Sequence, residues 1–470
     1  MEAAAELETD VVTALPARIA VGGGTALFLD GRCRTPAGID SLDVAFGGSV
    51  HPTLGFGLAP PRMRGEDYWW AIVPISPVAG RREAEVELRA RDGAGRALTA
   101  RLGAVTLEPG LDRAGSSAFA RPEGGEGPLV AICIATYEPD PEMFEVQIES
   151  IRAQTHRNWV CLVSDDASNP RASAEIQRVI DGDPRFELSV SPENRGFYAN
   201  FERALAMVPP EAEMVALSDQ DDRWYPDKLE RLLGALEPGA GLVFSDMRIT
   251  TTSGRVLADT YWGFRPVNFT DFGGLVIANT VTGAASLFRA ELLDDILPFP
   301  PRHGAAYHDH WIAQVAMALG PISYLDAPTY DYVQHDEAAL GFLRANGEGR
   351  YSAPLSERAK IWYSRWSGRG FRLGWRVPYF RLYCRVRVAT TALRLRLGDR
   401  LAPDRRATLD RIADDPGGIA WLIRRGVRDL GGATSTIGRE RVMLAGLAWR
   451  RGAEARRRLR RLRRRALARR

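Results

Sequence analysis

The sequence predicts an α/β domain that follows an all-β domain and precedes a helical C-terminal region. Three observations support this. Short strands without intervening helices fill residues 17–108, strands and helices alternate after residue 128, and aromatic and arginine residues interleave after residue 355. At 470 residues the chain is too long for one ordinary core, so several domains are expected.

We predict five segments: a disordered N-terminus, a β-sandwich, a linker, the α/β domain and a helical, arginine-rich region. Their boundaries are 1–16, 17–108, 109–127, 128–345 and 355–470. The linker is assigned because it is rich in Gly, Pro, Ser and Arg.

The net charge of +3 conceals an asymmetry. Residues 450–470 contain twelve Arg and one Glu, so the rest of the chain carries −8. The four cysteines are scattered, which argues against a zinc site or a disulfide framework and fits a reducing cytoplasm. The acidic N-terminus is unlike a signal peptide, and no apolar run approaches the ~20 residues of a membrane span. We therefore expect a cytoplasmic protein, soluble or peripheral on the inner face of the cell membrane.

The first domain is predicted from alternating residues and turn signals. Polar and apolar residues alternate over residues 83–90, and an Asp-Gly pair at residues 92–93 separates this strand from the next one. Spacing of this kind predicts a small sandwich of immunoglobulin-like type. Trp69 and Trp70 could stack on a sugar, but packing in the core and at the sheet edge is the favoured interpretation.

The second domain is predicted from buried apolar runs that alternate with amphipathic helices. The expected strands are 128–135, 159–164, 186–191, 215–218 and 241–246. Polar residues follow several of these strands, so we predict a parallel sheet with one composite site at its carboxyl edge.

The most informative stretch follows the fourth of these strands. Asp219, Asp221 and Asp222 lie within four residues and would repel one another without a cation. Hard oxygen ligands suit Mg²⁺ or Mn²⁺. The alternative is a solvated acidic loop with Asp222 as the N-cap of the next helix; the metal is favoured.

Five motifs in order resemble the family 2 glycosyltransferases, which are inverting enzymes with the GT-A nucleotide-sugar-binding fold. The motifs are Ala135-Thr136-Tyr137, Gln154-Thr155, Asp165-Asp166-Ala167-Ser168, Asn194-Arg195-Gly196 and Ser218-Asp219-Gln220-Asp221-Asp222. The Asp-Gln-Asp-Asp-x-Trp form is most similar to the rhamnosyltransferase-like branch. The resemblance covers about residues 128–340.

The resemblance implies a role for each matching residue on the donor side. Thr136 and Tyr137 would line the nucleotide pocket, Asp166 would bond the base, and Asp219 would meet the ribose or the metal. Asp221 would ligate the divalent ion that bridges the diphosphate. Arg195 would reach phosphate, because its planar fork suits that partner.

On the acceptor side, the resemblance places Gly283 where room for substrate is needed, with Trp311 close to the acceptor. Asp309 matches the family's general base, which takes a proton from the acceptor hydroxyl. His308 and His310 flank Asp309, but at this spacing they would point apart on a helix rather than share a metal.

Several of these residues have structural alternatives that the sequence leaves open. Asp165 fits a strand-terminal turn, Gly196 a turn before a helix, and Gly283 a bulge in a packed strand. Asp309 could cap its helix instead of acting as a base.

His335 resembles the histidine of the family's closing motif, which approaches the diphosphate or metal. The asparagine expected shortly afterwards is absent from Asp336-Glu337-Ala338. His335 is therefore either a metal ligand or a residue that orders the loop, and the sequence leaves both open.

The C-terminal region interleaves aromatics with arginines between residues 362 and 387. Such a helix suits an anionic membrane surface, and it equally suits packing on the catalytic domain with arginine stems covering apolar groups. Nucleic acid is disfavoured because no recognisable module accompanies the basic tail. Further helices are expected at 404–413, 418–428 and from 441 onward.

The sequence thus predicts a metal-dependent inverting glycosyltransferase that moves a sugar from a nucleoside-diphosphate donor to a hydroxyl of a glycan or lipid-linked acceptor, in cell-surface polysaccharide assembly. Rhamnose is the first donor sugar to test. The alternative is a non-catalytic glycan-binding or assembly protein with a decayed transferase domain. A glycosidase acid-base pair fits less well, because the strand ends are arranged as a nucleotide pocket.

Overall fold

The computed structural model describes residues 7–56, 67–111, 125–262, 267–304, 306–334, 376–413, 420–425 and 439–468. Among these residues, no helix is both long enough and apolar enough to cross a membrane.

The N-terminal region consists of strands only. They are β1 (Glu8–Val11), β2 (Arg18–Ala20), β3 (Thr25–Arg34), β4 (Ile39–Phe46), β5 (Ser49–Pro52), β6 (Gly55–Phe56), β7 (Tyr68–Ile75), β8 (Arg82–Asp92) and β9 (Ala97–Glu108). One sheet has the order β1-β3-β7-β6 and the other β2-β9-β8-β4-β5.

The two N-terminal sheets share one apolar core. Leu27 and Val73 of the first sheet cluster with Val44, Val86 and Leu107 of the second. The predicted β-sandwich is therefore present, and β8 and β9 form the expected antiparallel hairpin. Trp69 and Trp70 are 0% and 2% exposed, which confirms the packing interpretation. The immunoglobulin-like type stays a prediction.

The α/β domain supplies nine strands to one mixed sheet. They are β10 (Val130–Thr136), β11 (Trp159–Asp165), β12 (Phe186–Val190), β13 (Met214–Ser218), β14 (Arg223–Trp224), β15 (Leu242–Thr251), β16 (Val256–Ala258), β17 (Ser286–Arg289) and β18 (Ile322–Gln334). The order is β12-β11-β10-β13-β17-β15-β18-β14, with β16 paired to β15.

Helices cover this sheet. They are α1 (Pro141–Arg152), α2 (Pro170–Ile180), α3 (Phe197–Ala206), α4 (Lys228–Ala235), α5 (Phe272–Ile277), α6 (Leu293–Ile296) and α7 (His308–Leu319). Asp140 and Asn169 cap α1 and α2 by accepting two backbone N–H groups each.

The prediction of a fully parallel sheet is wrong for its second half. Strands β12, β11, β10 and β13 are parallel, whereas β17 runs antiparallel to both β13 and β15. A short turn at Gly283–Ala285 precedes β17, so the chain enters this strand from the site edge of the sheet. The apolar run 281–288 predicts burial here but not strand direction.

The C-terminal region contains α8 (Arg376–Leu397), α9 (Pro403–Ala413) and α10 (Arg439–Ala468), and residues 420–425 are also helical. The predicted aromatic stretch at residues 362–375 lies outside the described residues. One face of helix α8 is buried. Its buried side chains include Leu382, Tyr383, Val386, Ala392 and Leu393. Of the two roles expected for this helix, membrane binding or packing on the protein, the structure shows packing.

Helix α8 lies between the sandwich and the α/β domain. Phe380 and Tyr383 meet Trp70 of the sandwich, with ring centroids 5.5 and 5.6 Å apart. The same apolar cluster continues into Phe299 and Trp311 of the α/β domain. One continuous core therefore joins the three regions.

Arg396 joins the two domains by hydrogen bonds as well. Its Nε donates to Gly24 O of the sandwich at 2.7 Å. Its terminal nitrogens donate to the carbonyl oxygens of Asp295, Ile296 and Pro298 in the α/β domain at 2.6–3.0 Å. A buried guanidinium is tolerated here because carbonyl oxygens surround it.

Candidate functional site

The carboxyl ends of β10, β11 and β13 meet at one edge of the sheet. Thr136 pairs with Asp165 across β10 and β11, and Ile134 pairs with Ser218 across β10 and β13. Residues that follow these strands therefore project into the same region, where open α/β sheets bind ligands.

Asp165 and Thr136 are turned into the protein at this edge. The Thr136 hydroxyl donates to Asp165 Oδ1 at 3.1 Å, and Asp165 also accepts the backbone N–H and hydroxyl of Ser168. Ala167 has a φ of 61°, which completes a tight turn. The turn interpretation of Asp165 is confirmed. Thr136 is 0% exposed and its hydroxyl supports the turn, so its place in the lining of a nucleotide pocket stays a prediction.

Asp166 organises the loop before α3. Its two carboxylate oxygens accept the backbone N–H groups of Arg195 and Gly196 at 2.9 and 2.7 Å. Gly196 has φ 82° and is the N-cap of α3, as its turn interpretation predicts. The carboxylate thus holds a loop, and its bond to a nucleotide base stays a prediction. Arg195 is exposed beside Glu193 and is free to reach toward a ligand.

Tyr137 is half-exposed, and its backbone is held by Gln220. Gln220 Oε1 accepts Tyr137 N–H at 2.9 Å, and Gln220 Nε2 donates to Tyr137 O at 3.2 Å. This pair of bonds joins the end of β10 to the acidic stretch. Sequence reasoning did not single out Gln220.

The acidic stretch after β13 concentrates negative charge. Burial, together with the charges of Asp221 and Asp309, raises the pKa of Asp219 to about 7, although the positive charge of Lys228 lowers it. Asp222 is 1% exposed, and among the described residues neither of its carboxylate oxygens has a hydrogen-bond partner at ordinary distance. Burial and the charges of Asp219 and Asp221 raise the pKa of Asp222 as well. The N-cap of α4 is Asp227, so the interpretation of Asp222 as that cap is wrong.

Lys228 is the buried cation of this region. Its Nζ donates to Ala284 O at 2.5 Å and lies 3.8 Å from the Trp224 ring centroid and 4.4 Å from that of Tyr330. Burial lowers the pKa of Lys228 well below its ordinary value, while Asp222 and Asp219 raise it. Its one sequence signal is rarity: the chain has two lysines and sixty arginines.

Asp309 lies in the first turn of α7, across the site from Asp219. Burial raises its pKa to about 7, even though hydrogen bonds from the His310 and Gly283 backbone N–H groups, the charge of Arg385 and the Asn279 side chain lower it. The N-cap of α7 is Tyr307, so capping does not explain Asp309. A half-buried carboxylate with a pKa near neutrality is suited to accept a proton.

Gly283 and Trp311 lie on the inner side of Asp309. A Cβ at Gly283 would be 2.8 Å from His308 Nε2 and 3.6 Å from Asp309 Cβ, so the space is taken by α7. Trp311 is 4% exposed and its indole N–H donates to Ile296 O at 2.9 Å. Both residues support the site from behind, and their contact with an acceptor stays a prediction.

The two histidines beside Asp309 diverge, as predicted. His308 stacks on Phe201, with ring centroids 3.8 Å apart, and burial lowers its pKa to about 3. His310 Nε2 lies 2.5 Å from Leu275 O and 2.8 Å from Gln314 Nε2. Neither imidazole faces a shared ligand position with Asp309.

The donor set fits a hard cation in its chemistry. Asp219 and Asp221 are carboxylates that repel each other, and Mg²⁺ is bound in many proteins by one or two carboxylates together with substrate phosphates. Within the described ranges, no group of three His, Cys, Asp or Glu side chains is arranged to hold a metal. His335 lies outside the described residues, so its place in the predicted metal set stays a prediction.

Comparison with known proteins identifies the central region. Residues 131–297 match the family described as "Glycosyl transferase family 2". A putative teichuronic acid biosynthesis glycosyltransferase, TuaG of Bacillus subtilis, is 30% identical over 106 residues, which are 23% of this chain and 41% of TuaG. The uncharacterized protein y4gI of Sinorhizobium fredii is 30% identical over 123 residues, 26% of this chain and 13% of y4gI. The aligned segment thus spans less than half of each of these relatives.

Two solved structures match this chain at low similarity. One is a mannosyltransferase, PcManGT from Pyrobaculum calidifontis, in complex with GDP-Man and Mn²⁺; it has 17% identity and a TM-score of 0.35, and the match covers 70% of this chain and 88% of that one. The other is TarS 1–349 of S. aureus in complex with UDP-GlcNAc, with 13% identity, a TM-score of 0.39 and coverage of 69% and 92%.

Proposed function

We propose, from the premise that residues 131–297 are a glycosyltransferase family 2 domain with a GT-A-like α/β fold, that the protein transfers a sugar from a nucleoside-diphosphate donor to an acceptor hydroxyl. The observation that carries the proposal is the closeness of Asp309 to the end of β13: a Cβ at Gly283 would lie 3.6 Å from both Asp309 Cβ and Leu217 Cδ1, and Leu217 precedes Asp219 by two residues. The charges of Asp309 and Asp221 both act on Asp219. A base close to the donor-side carboxylates is what a single-step displacement requires.

In this reaction the acceptor oxygen forms a bond to the anomeric carbon. The bond from that carbon to the phosphate oxygen breaks, and the nucleoside diphosphate leaves with the electron pair. Asp309 accepts the proton of the hydroxyl. Attack opposite the leaving group inverts the anomeric configuration.

Asp219 and Asp221 would hold a divalent cation, Mg²⁺ or Mn²⁺, which when bound neutralises negative charge on the diphosphate. Asp166 keeps the Arg195 loop in place, so that the exposed guanidinium can approach phosphate. Gln220 fixes Tyr137 beside the acidic stretch, at the mouth of the donor pocket.

The acceptor we propose is a glycan or lipid-linked hydroxyl in cell-surface polysaccharide assembly, in line with the name of the Bacillus subtilis relative. A cytoplasmic protein with its basic helix α10 against an anionic membrane would meet such an acceptor. The rhamnosyltransferase-like motif makes nucleotide-linked rhamnose the first donor to test.

The first experiment is a thermal shift assay with nucleoside diphosphates in the presence and absence of Mn²⁺, followed by a transfer screen over nucleotide sugars. We expect a metal-dependent rise in melting temperature and turnover of one donor. If diphosphate and Mn²⁺ raise the melting temperature but no sugar is transferred from any donor to any acceptor, the non-catalytic alternative is favoured instead.

Asp221→Ala should abolish metal-dependent stabilisation by diphosphates and lower transfer at least about 100-fold, since the leaving group loses its counter-charge. The variant itself should melt at or above the wild-type temperature, because one repelling charge is gone. Asp227→Ala removes a carboxylate six residues away and serves as the matched control. Equal turnover by Asp221→Ala and wild type would reject the metal assignment.

A further inference from the structure

Lys228 occupies a position where a cation is costly. It is the first residue of α4 and 0% exposed, so the ammonium is desolvated and lies at the positive end of a helix dipole. The space between Ala284 O and the Trp224 and Tyr330 rings is narrow. A compact ammonium fits there better than a planar guanidinium, in a chain that otherwise uses arginine.

Two carboxylates offset this cost. Asp222 and Asp219 are the charges that favour the protonated form of Lys228. In turn, Lys228 opposes the effect of burial on both carboxylates. Lys228 and Asp222 are both buried, and the ammonium lies against the ring of Trp224, two residues after Asp222, so each charge favours the ionised form of the other within the same part of the core.

Lys228 is also connected to Asp309 through the backbone. Its Nζ bonds to Ala284 O, in the turn Gly283–Ala285. The N–H of the preceding Gly283 is one of the groups that bond Asp309. The turn has no room to shift toward α7, because His308 fills the space beside Gly283.

We propose that Lys228 is a positioning residue, whose ammonium balances Asp219 and Asp222 and, through Ala284 O, fixes the turn that orients Asp309. The orientation of Asp309 matters for activity only if the proposed function holds. The charge balance concerns the folded protein alone.

A double-mutant cycle tests the charge balance without any assay of activity. Wild type, Lys228→Met, Asp222→Asn and the double variant are unfolded thermally in EDTA. We expect Lys228→Met to lower the melting temperature and Asp222→Asn to recover part of that loss in the double variant, because the uncompensated carboxylate is then gone.

Arg231→Met is the matched control, since it removes a charge from the same helix at a side chain that bonds Pro328 O. Its effect should add to that of Asp222→Asn. Simple additivity for Lys228→Met as well would overturn the charge balance. If Lys228→Met does not fold, a folded double variant supports the proposal, and a double variant that also fails to fold contradicts it.

Steady-state kinetics test the orientation of Asp309. We expect Lys228→Met to lower kcat about 10- to 100-fold, as loss of a supporting contact commonly does, with a nearly unchanged KM for the donor. Arg231→Met should retain the wild-type kcat. If the wild-type protein transfers no sugar, the proposed function is wrong, but the double-mutant cycle still tests the charge balance. Normal kcat in Lys228→Met, with an active wild type, would defeat the positioning role.

Discussion

Asp309 combines a carboxylate, a half-buried position and a set of backbone donors in one residue. Burial raises its pKa to about 7 while the N–H groups of His310 and Gly283 keep part of its anionic character. With a pKa of about 7, Asp309 is partly ionised at neutral pH and is basic enough to take a proton.

The kcat/KM for transfer should therefore fall as the pH drops through about 7, because Asp309 becomes protonated below its pKa. Above this pH the acidic limb should level off, because Asp309 is then ionised. Asp309→Asn should lower turnover by about 10² to 10⁴ while retaining stabilisation by diphosphate and metal. A pH profile whose acidic limb lies near 4, or an active Asp309→Asn, would mean that another group is the base.

At this scale the sequence predicts the acidic residues well and their partners poorly. Asp219 follows a strand end that is visible in the apolar pattern, whereas Asp309 is identified by its resemblance to the family's base. The sequence does not predict that Thr136 is buried or that a loop uses the Asp166 oxygens. A residue's hydrogen-bond partners depend on tertiary contacts that the local sequence does not encode. Lys228 is conspicuous only by its rarity.

The loop before α3 shows how one element depends on a distant carboxylate. Gly196 adopts φ 82° and ψ 160°, a backbone region that residues with a side chain avoid. Asp166 accepts the two N–H groups that this conformation presents. Helix α3 therefore begins at a point set jointly by a glycine and by the end of β11.

Gly196→Ala should destabilise the protein by about 1–3 kcal/mol through backbone strain. Crowding would contribute little, because the nearest atom to a new Cβ is Arg302 Nη1 at 3.8 Å. Gly234→Ala is the control: it lies within α4 in open space and should stabilise by about 0.5–1 kcal/mol. Urea unfolding of both variants measures the two effects. Similar free energies of unfolding for both would exclude strain at Gly196.

Element boundaries in the α/β domain could largely be predicted, because continuous apolar runs mark buried strands and polar residues end them. The reversed direction of β17 could not. Its four residues, Ser286–Arg289, are mostly buried, and burial alone does not distinguish a parallel from an antiparallel neighbour.

At the scale of the whole molecule, helix α8 joins the β-sandwich to the α/β domain. Arg396 is 9% exposed and donates to carbonyl oxygens of both flanking domains. The aromatic pattern of this region predicts an amphipathic helix, but the partner of its apolar face is a choice between lipid and protein that periodicity alone does not make.

Arg396→Met should lower the free energy of unfolding by about 3 kcal/mol, because four carbonyl oxygens lose a charged donor. Arg394→Met, on the same helix, removes an exposed arginine that pairs with Asp410 at 3.2 Å and should change stability little. Differential scanning calorimetry compares the two. A melting temperature for Arg396→Met equal to that of Arg394→Met would show that the inter-domain bonds are dispensable.

The apolar cluster that runs from Phe28 through Tyr383 to Trp311 has a consequence for protein engineering. The transferase segment resembles an independent module in the sequence. Grafting it alone into another protein would nevertheless expose the apolar surface that α8 covers. Swapping donor or acceptor specificity between relatives should accordingly succeed best when the sandwich and α8 travel with the transferase segment as a unit.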